Sequence, residues 1–235
     1  MTYNPVIAAL DVSAADEALR LAERLAGSVG AVKIGKELFV TAGPDIVRRV
    51  RATGAAVFLD LKFHDIPNTV AKAVAAATRL DVQMLTIHTS GGAEMMAAAE
   101  KAAQETAREC GCPPPLVLGV TVLTSMDATD LAGVGIDAEP AVQVERLARL
   151  AATAGLRGLV CSPLEITRLR EVLPAGMKLV TPGIRPPAAA TGDQKRVMTP
   201  ADAVQAGADW LVIGRPITQA EDPRAAAEAI LATLP

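Results

Sequence analysis

The chain has 235 residues, of which 51% are hydrophobic, 21% are charged and only five are aromatic, and its formal net charge is -3. Nucleic-acid binding is not indicated, because the sequence has neither a basic stripe nor a mixture of aromatic and basic residues. This length fits one α/β barrel or two smaller domains, and no Ser/Gly/Pro-rich stretch or charge run divides it. We therefore expect one domain, residues 1–235, with an aliphatic core.

The N-terminal segment leads into a short apolar run that ends at Asp11, without a basic leader or an apolar stretch long enough to span a bilayer. Cys110 and Cys112 are two residues apart and Cys161 is distant, which fits neither a disulfide framework nor a complete zinc site. We therefore expect a cytoplasmic protein with reduced thiols, no bound metal and no membrane association.

Eight short apolar runs alternate along the chain with longer Ala- and Leu-rich segments of helical periodicity. The apolar runs predict strands that begin near Val6, Ala31, Ala56, Met84, Leu116, Gly158, Lys178 and Trp210. The segments between them predict helices over Ala14–Ala26, Pro44–Arg51, Ile66–Arg79, Ala93–Glu109, Gln143–Ala154, Leu164–Val172, Thr199–Gln205 and Pro223–Leu234. Helix start and stop signals are Ser13 as an N-cap, Pro44 as a first-turn proline, and Gly54, Gly155 and Gly207 as terminators.

Eight strand–helix units of this size fit a closed (β/α)8 TIM barrel, since parallel strands need long crossover connections. A doubly wound open sheet is the less favoured alternative, because no Gly-x-Gly-x-x-Gly turn follows the first strand. In a barrel, active-site residues lie at the carboxyl ends of the strands. The first three strands carry Asp11, Lys33, Asp60 and Lys62 there, and such charges are costly near an interior unless they are paired.

The third strand carries the strongest signal, in the segment Phe58 to Thr69. Strand side chains alternate between faces, so Asp60 and Lys62 share one face, and Asp65 falls just past the end of the strand. A structural ion pair is the plain alternative for an isolated Asp-x-Lys. The second aspartate and the Ile-Pro-Asn-Thr opening of a helix favour a catalytic strand-to-helix turn instead.

The loops after the seventh and eighth strands indicate a phosphate site, as is common in such barrels. The seventh loop is long and contains Pro182, Arg185 and Gln194, and the eighth begins with Gly214 and Arg215. Glycine allows a phosphate to approach the backbone N–H groups, and arginine binds phosphate oxygens through two parallel hydrogen bonds. A solvated connector is the alternative for the seventh loop, but we interpret it as a lid over a ligand.

Taken together, these residues resemble the orotidine 5'-monophosphate decarboxylase family over essentially the whole chain. The motifs that carry the resemblance are Ala-Leu-Asp11, Lys33-Ile-Gly, Asp60-x-Lys62-x-x-Asp65-Ile-Pro-Asn-Thr69, Val-Leu-Thr124-Ser, Thr-Pro-Gly-Ile-Arg185 and Ile-Gly214-Arg215-Pro-Ile. The resemblance implies a homodimeric (β/α)8 barrel that converts orotidine 5'-monophosphate to UMP and carbon dioxide, the last step of UMP biosynthesis, without a metal or organic cofactor.

The same resemblance implies roles for individual residues. Lys62 would donate the proton to C6 of the pyrimidine, Asp60 would lie against the scissile carboxylate, and Lys33 would link the carboxylates to the ribose. Asp65 would reach into the partner's site. The resemblance further assigns the ribose to Asp11, the ribose-phosphate region to Thr69, the base to Thr124 and Ser125, the phosphate to Arg185, Gln194, Gly214 and Arg215, and the closing loop to Pro182.

The sequence leaves two alternatives open. One is a magnesium-dependent sugar-phosphate decarboxylase of the same superfamily, which shares the Asp-x-Lys-x-x-Asp motif. The other is a barrel that binds a phosphorylated metabolite without transforming it. His64 and His88 lie next to the third-strand motif and at the end of the fourth strand, and we expect them to have structural or supporting roles rather than to act as a general base.

Overall fold

The computed structural model describes residues 3–186 and 197–235 of the chain. Within those residues, eight parallel strands close into a barrel in sequence order, so the predicted (β/α)8 TIM barrel is confirmed. The strands are β1 Val6–Ala9, β2 Ala31–Gly35, β3 Val57–Phe63, β4 Met84–His88, β5 Leu116–Val120, β6 Gly158–Val160, β7 Lys178–Thr181 and β8 Trp210–Ile213.

Helices cover the outside of the barrel and connect successive strands. They are α1 Ala15–Leu25, α2 Lys36–Ala42, α3 Asp45–Ala52, α4 Pro67–Thr78, α5 Ala93–Cys110, α6 Ala128–Gly133, α7 Pro140–Thr153, α8 Ile166–Val172, α9 Pro200–Ala206, α10 Arg215–Thr218 and α11 Pro223–Leu231. Short 3-10 turns at Thr89–Gly91 and Pro163–Glu165 precede α5 and α8. In this part of the chain, no helix is both long enough and apolar enough to cross a membrane.

The strand alternation separates two hydrophobic cores. Side chains such as Ile7, Phe58 and Leu118 point into the barrel and form a small inner core. Residues between them in sequence, such as Leu59, point outward and pack with the helices in a larger outer core. Because period-2 alternation continues to the strand ends, Lys33 and Asp60 lie on the inward face, above the inner core.

Most of the local predictions are confirmed. The predicted strand starts agree with the structure, although β3 begins at Val57 rather than Ala56. Gly54 and Gly155 follow α3 and α7 with φ of +87° each, and Gly207 ends α9 with φ of +112°, as expected of helix terminators.

Two start signals were wrong. Ala14 rather than Ser13 is the N-cap of α1, and no side chain caps that helix; the acidic residues Asp16 and Glu17 lie in its first turn instead. Pro44 is the N-cap of α3 rather than its first helical residue. Three helices were not predicted, namely α2, α6 and α10. All three are four to seven residues long, and each follows the same strand as a longer helix that was predicted, namely α3, α7 or α11.

Candidate active site

Four charged side chains from the first three strand ends form a chain of ion pairs at the carboxyl end of the barrel. The Nζ atom of Lys33 lies 2.9 Å from Oδ1 of Asp11 and 3.8 Å from Oδ2 of Asp60. The Nζ atom of Lys62 lies 2.7 Å from Oδ1 of Asp60. The charges therefore alternate in sign across three adjacent strands, and each ammonium group has a carboxylate neighbour.

Asp60 is the centre of this array, with a side chain that is only 14% exposed. Burial alone would raise the pKa of Asp60. The ammonium groups of Lys62 and Lys33, with hydrogen bonds from Lys62 and Thr86, outweigh burial and lower that pKa below its ordinary value. Asp60 is therefore a carboxylate at neutral pH, held in a largely desolvated position.

Lys62 has an unusual backbone conformation. Its φ angle is +54°, and Asp81 is the only other described residue apart from glycine with a positive φ. This left-handed conformation is costly for a residue with a side chain, and such strained residues tend to cluster at active sites and ligand-binding regions. It coincides with an irregularity in the pairing of β3 with β4. Leu59 pairs with Leu85, whereas Phe63 pairs with Ile87, so the register between the two strands shifts over this interval. The irregularity leaves Asp60 and Lys62 on the same side, as the alternation predicted.

Thr86 of β4 belongs to this site, although sequence reasoning missed it. Its side chain is fully buried, accepts a hydrogen bond from the backbone N–H of Lys62 at 2.9 Å and donates one to Asp60 at 3.0 Å. A signal was available, since Thr86 is the polar residue of the run Met-Leu-Thr-Ile and shares the inward face with Met84.

An apolar cavity of about 210 Å³ adjoins the Asp60–Lys62 pair. Thr124 and Pro182 line it, so the structure places these two predicted residues beside the charged array. The remaining lining is mostly hydrophobic and comprises Phe58, Val120, Val122, Leu123, Val160, Cys161 and Val212. Burial raises the pKa of the Cys161 thiol to about 12, so that this wall is uncharged. A ligand in the cavity would have charged groups on one side and aliphatic groups on the other.

A second cavity, of about 440 Å³, joins the charged array to the loops after β7 and β8. Arg185, Gly214 and Arg215, which the sequence assigns to a phosphate site, line it together with Pro182 of the predicted closing loop, and Lys33 forms part of its wall. Gly183 has φ of +79°, a conformation that favours glycine at the turn before Arg185. Gln219, which follows α10, also lines this cavity and was not predicted.

Some predicted residues are outside these cavities. Asp65 and Thr69 lie on the exposed turn and first helical turn after β3, and Ser125 is exposed in the loop after β5. The Asp65 carboxylate accepts a hydrogen bond from the N–H of Ile66 and forms no ion pair with any described residue. Gln194 lies outside the described residues.

His64 and His88 lie together at the edge of the barrel mouth, which is the carboxyl end of the barrel that holds the charged array. Their ring centroids are 5.5 Å apart. Burial, followed by the nearby charges of His64 and Lys62, lowers the pKa of His88 to about 4. His88 is therefore neutral at physiological pH. It lines a third cavity, of about 360 Å³, together with Lys62 and Lys36.

Across residues 3–186 and 197–235, no group of three or more His, Cys, Asp or Glu side chains is placed to hold a metal ion. Among the carboxylates of the charged array, Asp11 and Asp60 are each paired with a lysine ammonium group, at 2.9 and 2.7 Å.

Comparisons of the sequence with known proteins all indicate one family. Residues 4–230 match the model of the orotidine 5'-phosphate decarboxylase / HUMPS family. The chain is 57% identical over 229 residues to the orotidine 5'-phosphate decarboxylase of Opitutus terrae, covering 97% of each chain. It is 53% identical to that of Pseudomonas syringae pv. syringae, covering 98% of this chain and 97% of the relative.

The fold is likewise similar to solved structures. The crystal structure of orotidine 5'-phosphate decarboxylase from Lactobacillus acidophilus superposes with a TM-score of 0.84 at 37% identity, covering 98% of both chains. An uncharacterized conserved protein from Geobacillus kaustophilus superposes with a TM-score of 0.87 at 34% identity, covering 98% of this chain and all of the other. The chain therefore belongs to the orotidine 5'-phosphate decarboxylase / HUMPS family.

Proposed function

We propose that this protein decarboxylates orotidine 5'-monophosphate to UMP and carbon dioxide in pyrimidine biosynthesis, without a cofactor. The observation that carries the proposal is the alternating array Asp11–Lys33–Asp60–Lys62, with consecutive N–O distances of 2.9, 3.8 and 2.7 Å. It stands between an apolar cavity and a cavity lined by two arginines. A flat, partly apolar base that carries a ribose phosphate fits these two compartments.

In this reaction the bond between C6 and the carboxylate breaks, carbon dioxide leaves, and the electron pair stays on C6. Lys62 stabilises that developing negative charge and transfers a proton from Nζ to C6, and solvent then reprotonates the lysine. An ammonium group near C6 interacts more strongly with the carbanion-like transition state than with the substrate ring, and for that reason it accelerates the reaction.

Asp60 serves two purposes in this scheme. It fixes Lys62 through the 2.7 Å ion pair, and it faces the substrate carboxylate with a charge of the same sign. Two unit charges ~4 Å apart interact by roughly 4 kcal/mol at an effective dielectric near 20. Loss of carbon dioxide removes that repulsion. Lys33 neutralises the other oxygen of Asp60 and, with Asp11, faces the ribose hydroxyls.

The remaining contacts to substrate follow from the second cavity and the loop after β5. Arg185, Gly214 and Arg215, with Gln194, bind the phosphate, and Pro182 lies in the loop that closes over it. Thr124 and Ser125 contact the base. Binding energy from the distant phosphate can thereby be used to close the loop and to stabilise the transition state.

We further propose a homodimer in which Asp65 and Thr69 complete the site of the partner subunit. Asp65 is exposed and unpaired among the described residues, and the apolar side chain next to it, Ile66, is 65% exposed. The turn therefore presents a carboxylate without an ion-pair partner in the described part of the chain and an exposed apolar side chain, both of which are free to contact a second subunit.

The activity is tested by incubating the purified protein with orotidine 5'-monophosphate and following the loss of ultraviolet absorbance together with the appearance of UMP. We expect turnover that survives exhaustive EDTA treatment. Activity that EDTA abolishes and magnesium restores would favour a metal-dependent reaction instead. Ligand binding with no change in absorbance would favour a barrel that only binds phosphorylated metabolites.

The shared site is tested by mixing Lys62→Ala and Asp65→Asn proteins, each nearly inactive, under conditions that exchange subunits. A hybrid dimer would contain one site with both Lys62 and Asp65, so random exchange should restore up to about a quarter of the wild-type activity. If Asp65 acts within its own chain, no activity returns. A fully active monomer on gel filtration would also overturn the dimer proposal.

A further inference from the structure

We propose that Thr86 is a positioning residue, whose buried hydroxyl fixes the Asp60–Lys62 pair by accepting a hydrogen bond from the Lys62 backbone and donating one to the Asp60 carboxylate. As a role in catalysis, this inference rests on the proposed function, since it concerns the proton donor of that reaction. The hydroxyl has one proton and two lone pairs, and the two contacts use the proton and one lone pair.

The need for such a residue follows from the irregular pairing of β3 with β4. Leu59 pairs with Leu85 and Phe63 pairs with Ile87, so β3 has two more residues than β4 over this interval. The N–H of Lys62 cannot then find its partner in a regular backbone ladder. A backbone N–H that is shielded from water and lacks a partner destabilises the fold, and Thr86 supplies the missing acceptor from its side chain.

The same contact supports the left-handed conformation of Lys62. At φ of +54°, the backbone of Lys62 is in a sparsely populated region that persists only where the surroundings hold it. Thr86 is 0% exposed and lies in the middle of β4, whose register with β5 is continuous from Met84 to His88. The hydroxyl is therefore attached to a rigid element, which suits a group that fixes another residue.

Thr86, Asp60 and Lys62 are each hydrogen-bonded to the other two. Thr86 bonds Oδ1 of Asp60 at 3.0 Å, and the same oxygen accepts from Nζ of Lys62 at 2.7 Å. One threonine thus determines both where the lysine backbone turns and where its ammonium group is directed. Misplacement of a reacting group by about 1 Å can lower a rate by about 10²-fold.

Thr86→Val tests this directly, because valine has nearly the shape of threonine and lacks the hydroxyl. We expect kcat to fall by about 10- to 100-fold, with KM changed by less than about threefold. Thr86→Ser keeps the hydroxyl and should remain within about threefold of wild-type kcat. If valine is not accommodated, Thr86→Ala should show the same loss of kcat. A folded Thr86→Val or Thr86→Ala protein with wild-type kcat would overturn the proposal.

Thr78→Val is the matched control. Thr78 is 1% exposed, and its hydroxyl donates to the backbone carbonyl of Val74 within α4, away from the mouth. The control loses a buried threonine hydroxyl without touching Asp60 or Lys62. It should lower thermal stability while leaving kcat within about twofold of wild type. An equal loss of kcat in Thr78→Val and Thr86→Val would mean that the effect is one of general stability, and would overturn the positioning role.

A titration separates positioning from stability. The titratable groups that face Asp60 are Lys62 on its own strand, Lys33 on β2 and His88 on β4. The hydrogen bond from Thr86 is one of the contributions that lower the pKa of Asp60. In Thr86→Val that pKa should rise, so the acid limb of the kcat/KM profile should move to higher pH. An unchanged acid limb in a folded Thr86→Val protein would contradict the proposal.

The same pKa can be measured without any substrate. The carboxyl carbon of Asp60 in protein labelled with carbon-13 at aspartate, identified by its absence in Asp60→Asn, should titrate at higher pH in Thr86→Val than in wild type. This titration needs no enzymatic activity, so it tests the contact even if the wild-type protein fails to decarboxylate orotidine 5'-monophosphate. Such a failure would overturn only the proposed function. An identical titration in the two proteins would overturn the contact between Thr86 and Asp60.

Discussion

Two carboxylates at opposite ends of the barrel each lie between two cationic side chains, but their surroundings differ. Asp60, at the carboxyl ends of the strands, lies between Lys62 and Lys33, and its side chain is 14% exposed. Asp209, just before β8 at the amino ends, lies between Arg170 and Lys178, and its side chain is 17% exposed. Burial would raise the pKa of both carboxyl groups, but it is outweighed, mainly by the lysine charges at Asp60 and mainly by hydrogen bonds at Asp209, so that both pKa values are lowered.

The difference lies in what else each carboxylate contacts. Both oxygens of Asp209 are bonded, to Lys178 on one side and to Arg170 and the N–H of Leu179 on the other. Arg170 also donates to the carbonyl oxygens of Met177 and Gly207, which joins α8 to two strand starts. Asp60 instead borders two cavities, and Lys33 is 3.8 Å from its second oxygen.

An ion pair of this kind is therefore structural where its hydrogen bonds are saturated by the fold, and available for chemistry where an oxygen faces open space. Variants at the two ends should separate activity from stability.

Lys62→Ala should lower kcat by at least about 10³-fold, because in the proposed mechanism Lys62 supplies both the charge next to C6 and the proton. Its far-UV circular dichroism and cooperative unfolding should be retained. The matched variant at the other end is Lys178→Ala, which removes an ammonium group 2.8 Å from Asp209 and should leave kcat within about twofold of wild type. Robust turnover by Lys62→Ala would contradict its role as proton donor.

Arg215→Ala should lower kcat/KM by about 10²-fold, since a hydrogen bond to a charged group is worth about 1.5–3 kcal/mol. Steady-state kinetics with orotidine 5'-monophosphate measure this loss, and Arg215→Lys should recover part of it. Arg149→Ala is the control, because Arg149 pairs with Glu145 on the exposed face of α7. Equal kinetics for Arg215→Ala and wild type would remove Arg215 from the phosphate site.

Asp209→Asn should lower the free energy of unfolding by about 2–3 kcal/mol, because Arg170 and Lys178 lose their partner at a largely buried position. Urea denaturation monitored by circular dichroism gives this value. The kcat of the folded protein should stay within about twofold of wild type. A large loss of kcat without a loss of stability would show that the amino end of the barrel influences the chemistry.

The smallest effect concerns His88, whose pKa is about 4 in the folded protein against about 6.5 when unfolded. Between these values the unfolded chain binds more protons, so the stabilising contribution is complete above about pH 6.5 and is lost as pH falls towards 4. The urea midpoint should therefore fall less between pH 7 and 4.5 in His88→Gln than in wild type. His64→Gln, at the exposed ring, should retain most of the wild-type decrease; equal slopes in wild type and His88→Gln would refute this assignment.

The barrel was predictable because its signals are local and repeated. Eight apolar runs with helical segments between them leave few other topologies, and strand alternation correctly placed Asp60 and Lys62 on one face. The short helices α2, α6 and α10 were missed, since each follows the same strand as a longer helix and the repeating pattern indicates only one helix after each strand.

The site was predictable in part for the same reason. Asp11, Lys33 and Asp60 are charges at strand ends, which is a pattern visible in sequence, whereas the bond between Thr86 and Lys62 depends on an irregular register that no local pattern reveals. Asp65 and Thr69 are exposed in one subunit, so their proposed place in a site depends on a second chain.

The most direct test compares kcat/KM for orotidine 5'-monophosphate in Asp60→Asn and Asp209→Asn, measured side by side. Each substitution removes one negative charge from between two cations and changes the side-chain volume little. We expect a loss of at least about 10²-fold for Asp60→Asn and less than about twofold for Asp209→Asn. Wild-type kcat/KM in a folded Asp60→Asn protein would contradict a catalytic role for the carboxylate at the mouth of the barrel.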